Sequence, residues 1–169
     1  RLRPNQTNAE GTDTTTLTSF DSNGFTTGSD EVTNKDDDGY VSWSWKAGGS
    51  KNTFNVDDVG YASAAAAGLT GGSITPSGAS VGTKQGFSII GYTGDNGSSA
   101  SIAHGLNQKP TFFIVKRTGT GGNDWGVYHS ALGATKLLDL NNGGAANTTS
   151  SIWNDTEPTS SVFTVGTFD

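Results

Sequence analysis

Short runs of β-branched and aromatic residues, each cut off within a few positions by glycine, asparagine, aspartate or proline, constrain this chain more than any other feature. Such runs suit short strands and leave no room for a long helix. The first firm one is Tyr40-Val41-Ser42-Trp43-Ser44-Trp45-Lys46, where Val41, Trp43 and Trp45 alternate with their neighbours at the period of a half-buried strand. It follows a turn at Asp36-Asp37-Asp38-Gly39. Residues 87–93 run into Gly94-Asp95-Asn96-Gly97, whose Asn-Gly pair favours positive φ and predicts a hairpin to a partner strand over 99–104. Lys109-Pro110 opens Thr111-Phe112-Phe113-Ile114-Val115-Lys116-Arg117, the most hydrophobic run. It predicts an interior strand with Phe113 and Val115 on one face, Phe112 and Ile114 on the other, and both faces buried. Further strands are predicted over 125–129, 136–140, 151–153 and 161–165. At this spacing, short turns joining short strands predict an all-β, antiparallel β-sandwich or jelly roll.

Residues 1–24 read as a polar, threonine-rich arm or linker with one strand near 17–20, and residues 25–169 as the sandwich domain. Between them and the hydrophobic strands lies a Gly/Ala/Ser-rich stretch, 60–82. Its Gly71-Gly72 and Pro76 turns favour an extended, close-packed excursion over a short helix in the alanine run 62–67. Phe25-Thr26-Thr27-Gly28 is echoed by Phe163-Thr164-Val165-Gly166. The first copy leads through an acidic loop to the aromatic run 40–46, so a comparable strand is expected beyond Asp169 in a longer parent. The start at Arg1 is likewise expected of a processed product or a piece of a longer protein. A sandwich incomplete at its C-terminal end leaves an edge open. Residues 1–24, or the edge near 162–168, are therefore expected to contact a neighbouring subunit.

Composition removes several function classes. Ten basic against sixteen acidic residues give a net charge of −6, a field that repels nucleic acid and anionic membranes. With no Cys there is no disulfide frame, thiolate nucleophile or sulfur-ligated zinc. Asn34-Lys35-Asp36-Asp37-Asp38-Gly39 matches the front half of a calcium loop, with Asn34, Asp36 and Asp38 at ligand spacing. Trp45 stands where the closing Glu would be, so the run reads as a solvated acidic turn. The only histidines, His104 and His129, lie in no metal-binding pair or nucleophile motif and read as strand-end caps, although a carboxylate such as Asp124 beside one would make an acid–base pair. Asp155 and Glu157, beside Trp153, are the best carboxylates for a glycosidase, but a proline-terminated turn with one packed Trp accounts for them more simply. No cofactor and no enzymatic activity are expected.

The ordered series formed by residues 87–93, Ala103-His104-Gly105-Leu106, Phe113 to Arg117, Asp124 to His129, Leu132 to Lys136 and Trp153 to Phe163 resembles a family of concanavalin-like β-sandwich domains in virion proteins of marine tailed phages. The likeness covers about residues 25–169. In that family the pattern continues past the equivalent of Asp169 with another aromatic strand. The resemblance implies a virion structural protein: a tail fibre, appendage or capsid-surface component, extracellular, acting by assembly with other subunits and by recognition of host-surface glycans. It brings no catalytic residues. The alternative is a carbohydrate-binding module of a secreted bacterial protein, with Trp125, Tyr128 and Trp153 as sugar-stacking platforms. A glycan hydrolase using Asp155 or Glu157 stands third.

Overall fold

The computed structural model describes residues 1–49 and 52–167. In chain order its elements are β1 (Leu17–Asp21), β2 (Gly24–Thr27), α1 (Glu31–Asn34), β3 (Phe54–Val56), β4 (Val59–Tyr61), β5 (Gly78–Gly82), β6 (Phe87–Gly91), β7 (Ala100–Ala103), β8 (Phe112–Val115), β9 (Gly126–His129), β10 (Lys136–Asp139), β11 (Asn147–Thr148) and β12 (Val162–Val165). They form an all-β sandwich. Two four-stranded sheets, ordered β4-β3-β5-β6 and β11-β10-β9-β8, accompany two-stranded ribbons β12-β7 and β1-β2. All pairings are antiparallel except β3 with β5.

The β7–β12 ribbon organises the interior. Successive side chains of a strand point to opposite faces, and here the two faces serve two cores. Ala100, Ile102, Phe163 and Val165 join Tyr128, Ala134, Ile152 and Trp153 beneath the β8–β11 sheet. Ala103 and Val162 belong with Leu69, Ala79 and Val81 of the β3–β6 side. Ile90 packs against both clusters.

Most of the strands expected from residue 87 onward are present within two residues of their predicted bounds. The earlier sheet was hidden. β3 and β4 form a hairpin whose two turn residues, Asp57 and Asp58, both have positive φ (48° and 71°). That is the backbone of a tight two-residue hairpin, which aspartate tolerates better than most residues. Asp57 then accepts from the Thr83 amide (2.8 Å) and hydroxyl (2.5 Å), tying the turn to the end of β5.

Five expectations are corrected. The hairpin expected between residues 87–93 and 99–104 does not form: Asn96 does take a positive φ (60°), but β6 pairs with β5 and β7 with β12, in different sheets. Residues 40–46 are not a strand: no ladder partner lies beside them among the described residues, and Tyr40, Val41, Trp43 and Trp45 are exposed. Alternation specifies two faces but cannot supply the neighbouring backbone that a strand needs. β8 is an edge strand, bonded only to β9 among the described strands, and separately its outer face is not covered, leaving Phe112 50% exposed. The predicted split of faces does hold, with Phe113 and Val115 packed inward. Residues 151–153 are turn, not strand, leading into Asn154 and Asp155 at positive φ (51° and 46°). The 60–82 stretch is extended at its two ends, in β4 and β5, with a single bridge at Ile74 between them. The alanine run instead makes a turn closed by Ala67 N donating to Ser63 O and Leu69 N donating to Ala64 O, which buries Leu69.

The predicted arm is docked. Glu10 N donates to Thr118 O, Gly122 N to Thr7 O, and the Trp125 indole to Gln6 O (3.0 Å), so residues 6–10 line the β8–β9 loop. The β1–β2 hairpin straddles the expected boundary at residue 24.

Candidate functional site

The expected sugar platforms are separated by burial. Tyr128 and Trp153 both have 0% relative exposure and form the aromatic nucleus of the first core. The Tyr128 ring stacks on Phe113 at 4.7 Å, Trp153 meets Phe113 edge-on at 5.0 Å, and Phe163 closes the group at 5.0 Å from Phe113. The Trp153 indole donates to Lys136 O. A side chain with no exposed face cannot stack on a sugar, so these two are core residues. Trp125 is half-buried and engaged with Gln6.

Glu157 is a fastener. Its Oε2 accepts from the Tyr128 hydroxyl (2.6 Å) and Lys109 Nζ (2.8 Å), and its Oε1 accepts from the Ala134 amide (2.8 Å). The Lys109 and Tyr128 hydrogen bonds hold its carboxyl below the ordinary glutamate range, while partial desolvation opposes them. Burial, reinforced by this carboxylate, pushes the Tyr128 phenol upward. A glycosidase acid needs the reverse, a carboxyl raised so that it keeps its proton.

The histidines act as backbone caps. His104 is buried; its Nδ1 accepts from Leu106 N and its Nε2 faces Thr159 O at 3.2 Å. That pattern fixes the neutral, Nε2-protonated ring, and burial holds its pKa below the ordinary value, with the Thr159 carbonyl pulling the other way. His129 Nδ1 accepts from Ala131 N at the end of β9. Asp124 accepts from Asn141, not from a histidine.

Around the acidic run, Asp30 caps α1 by accepting from Val32 N (2.8 Å). Asn34 donates to Gly28 O, and Asp38 pairs with Lys35 at 3.5 Å. Among the described residues no three His, Cys, Asp or Glu converge on a metal-sized site.

Apolar surface accumulates elsewhere. On β1 and β2, Phe20 and Phe25 are directly opposed across the ladder, and Phe20 is 84% exposed. Val32, Tyr40 and Val41 follow, then Trp43 (74% exposed) and Trp45 (67%). Trp45 leans on Phe87 with ring centroids 6.0 Å apart. On the sheets, Ile89 of β6 and Phe112 and Ile114 of β8 face outward. Several large apolar side chains exposed along the one stretch from Phe20 to Trp45 exceed the scattered exposure normal for a monomer surface. The aromatic alternation was plain in the sequence, and only its lack of a partner strand was not.

At the C-terminal ends of β6 and β8, beside the start of β7 and the end of β12, lies a cleft of about 800 Å³. Ile74, Ile90, Tyr92, Ala100, Val115 and Val165 give it an apolar floor. Burial pushes the Tyr92 phenol up to about 12. Lys116, Arg117, Asp95 and Asp124 stand around it.

Residues 1–169 match a family described as a domain of unknown function, DUF7483. No curated protein and no solved structure gives a significant match.

Proposed function

We propose that this chain, which belongs to the DUF7483 family, is a structural subunit that works by assembling with other subunits, as a component of a virion surface such as a tail fibre, appendage or capsid decoration. The observation that carries the reading is the exposed apolar stretch from Phe20 to Trp45, together with the outward apolar side chains of the edge strands β6 and β8. Surfaces of this kind are costly on a solitary subunit and useful at an interface. Their side chains include Trp, Tyr and Phe, the types enriched in the buried centres of interfaces.

Assembly is preferred to catalysis because the best acid–base candidates are committed elsewhere. Glu157 is saturated by three donors, and His104 is buried as a neutral cap. Glycan recognition, the companion expectation, loses Tyr128 and Trp153 as platforms. The virion placement rests on the sequence resemblance. Particle purification tests it: a virion subunit copurifies with a capsid protein at fixed copy number through density gradients. Recovery only as free protein, or at variable ratio, overturns it.

A further inference from the structure

We infer that residues 40–46 of one copy dock, as an added strand, into the cleft between β6 and β8 of a second copy of this chain. The inference deepens the assembly reading and rests on it.

The first support is a structural echo. At the end of β2, Gly28 N donates to Thr16 O (2.8 Å), and a Cβ at Gly28 would meet Thr15 O at 2.3 Å. At the end of β12, Gly166 N donates to Ile152 O (2.7 Å), and a Cβ there would meet Ser151 O at 1.9 Å. The two Phe-Thr-x-Gly corners are thus built alike: each glycine bonds one carbonyl and lies against the carbonyl of the residue before it. From the first corner the chain leads to the aromatic run 40–46. At the second corner Val165, Gly166 and Thr167 line the cleft. The run that belongs with one corner and the cleft that belongs with the other are complementary parts.

The second support is the chemistry of the two surfaces. The cleft has an apolar floor and takes in the C-terminal ends of β6 (Ile90, Gly91) and β8 (Val115), strands that have a ladder neighbour on one side only among the described residues. The run offers Val41, Trp43 and Trp45 at strand period with its backbone outside any ladder. Adding a strand to an open edge satisfies both sets of backbone groups, and alternate side chains fill the floor. Charge permits this. Asp36, Asp37 and Asp38 lie just ahead of the run, and Lys116 and Arg117 stand at the cleft, where Lys116 Nζ donates to Thr7 O and Asn123 O and Arg117 to Asn123 Oδ1. Asp95 and Asp124 offset their charge, so the cleft's rim does not repel the acidic turn.

The occupant is a second copy because the run is tethered away from its own cleft. Its Tyr40 hydroxyl is held by Glu31 O and Lys35 N. At the other end Lys46 pairs with Asp58, and Gly48 N donates to Ser80 Oγ. Trp45 rests on Phe87, whereas the cleft begins at Ile90, toward the other end of β6.

Cysteine pairs test this cleanly, since the chain has no native Cys. Full-length Ser44→Cys and Thr93→Cys proteins, mixed and treated with a short bismaleimide, should give a heterodimer linked between 44 and 93. Ser44→Cys with Ser130→Cys, at the far end of β9, should give several-fold less. The Ser44→Cys/Thr93→Cys double variant should cross-link between molecules. A monomeric cross-link in that variant places the run in its own cleft and overturns the inference, as does equal linking to residue 130. Sedimentation of the untreated protein separates the two levels. Association with no 44–93 preference leaves the assembly reading standing without this docking mode, while a strictly monomeric chain removes both.

Discussion

The two stretches that sequence marks as most aromatic met opposite fates. Around β8, β9 and residue 153, Phe113, Tyr128, Trp153 and Phe163 lock ring to ring, and every polar edge is paired. From residue 20 to 45, Phe20, Trp43 and Trp45 carry the same kind of side chain into solvent. Composition does not distinguish the two regions. What differs is neighbouring backbone: the first has strands on both sides of its apolar layer, and the second has a hairpin and an unpaired run. The first region is a finished core, and the second is exposed apolar surface that the proposed assembly would cover.

That contrast is broken most forcefully at its centre. Trp153→Ala should cost about 3–5 kcal/mol of folding stability in urea titration, whereas Trp43→Ala, measured where the protein is monomeric, should stay within about 0.5 kcal/mol of the parent. Similar losses at both positions would mean the 40–46 run is packed in the isolated subunit. Tyr128→Phe comes next. It removes one of three donors from Glu157 and should cost about 1–2 kcal/mol; no change would show that water replaces the hydroxyl.

Acid sharpens the contrast further, because Glu157 and His104 clamp segments outside the exposed 20–45 stretch. Glu157 has a lowered folded pKa, so its contribution is fully present above the ordinary glutamate value and is lost as pH falls through the lowered folded value. His104 is also depressed, so its neutral state supports folding above the ordinary histidine value, and that support drains as pH drops through the folded pKa. Protonated His104 would turn its Nδ1 donor toward the Leu106 amide. Melting temperature should therefore fall between neutral pH and pH about 5, less so in His104→Gln. An unchanged slope in that variant would remove His104 as the cause. The smallest effect is expected at Phe20→Ser, whose folding stability should barely move while its tendency to associate declines in light scattering.

How far this was legible in the sequence follows from the same physics. β6, β8, β9 and β12 announce themselves as β-branched and aromatic runs, and β7 and β10 as short apolar runs between turn residues. β3, β4 and β5 are short and rich in small or polar residues, so their strand character comes from the ladders they join and not from propensity. The Asp57-Asp58 pair was the available signal for their hairpin. Burial was harder still. Period-two alternation at residues 40–46 and continuous hydrophobicity at β8 state which side chains share a face, but not whether another layer covers it. The packed Trp153 read from the Pro-terminated turn is what the fold shows, whereas the alternative that set Tyr128 and Trp153 out as sugar platforms, and the half-buried strand over 40–46, are the reverse of what the fold does.

The account stands or falls on whether the Phe20–Trp45 surface joins subunits. Sedimentation equilibrium of the full chain beside Trp43→Ser/Trp45→Ser, each across a micromolar concentration series, tests this directly. The prediction is a parent that associates reversibly and a double variant that is monomeric with an unchanged melting temperature at low concentration. A parent that remains monomeric throughout the series, with both tryptophans still emitting as solvent-exposed, would contradict it.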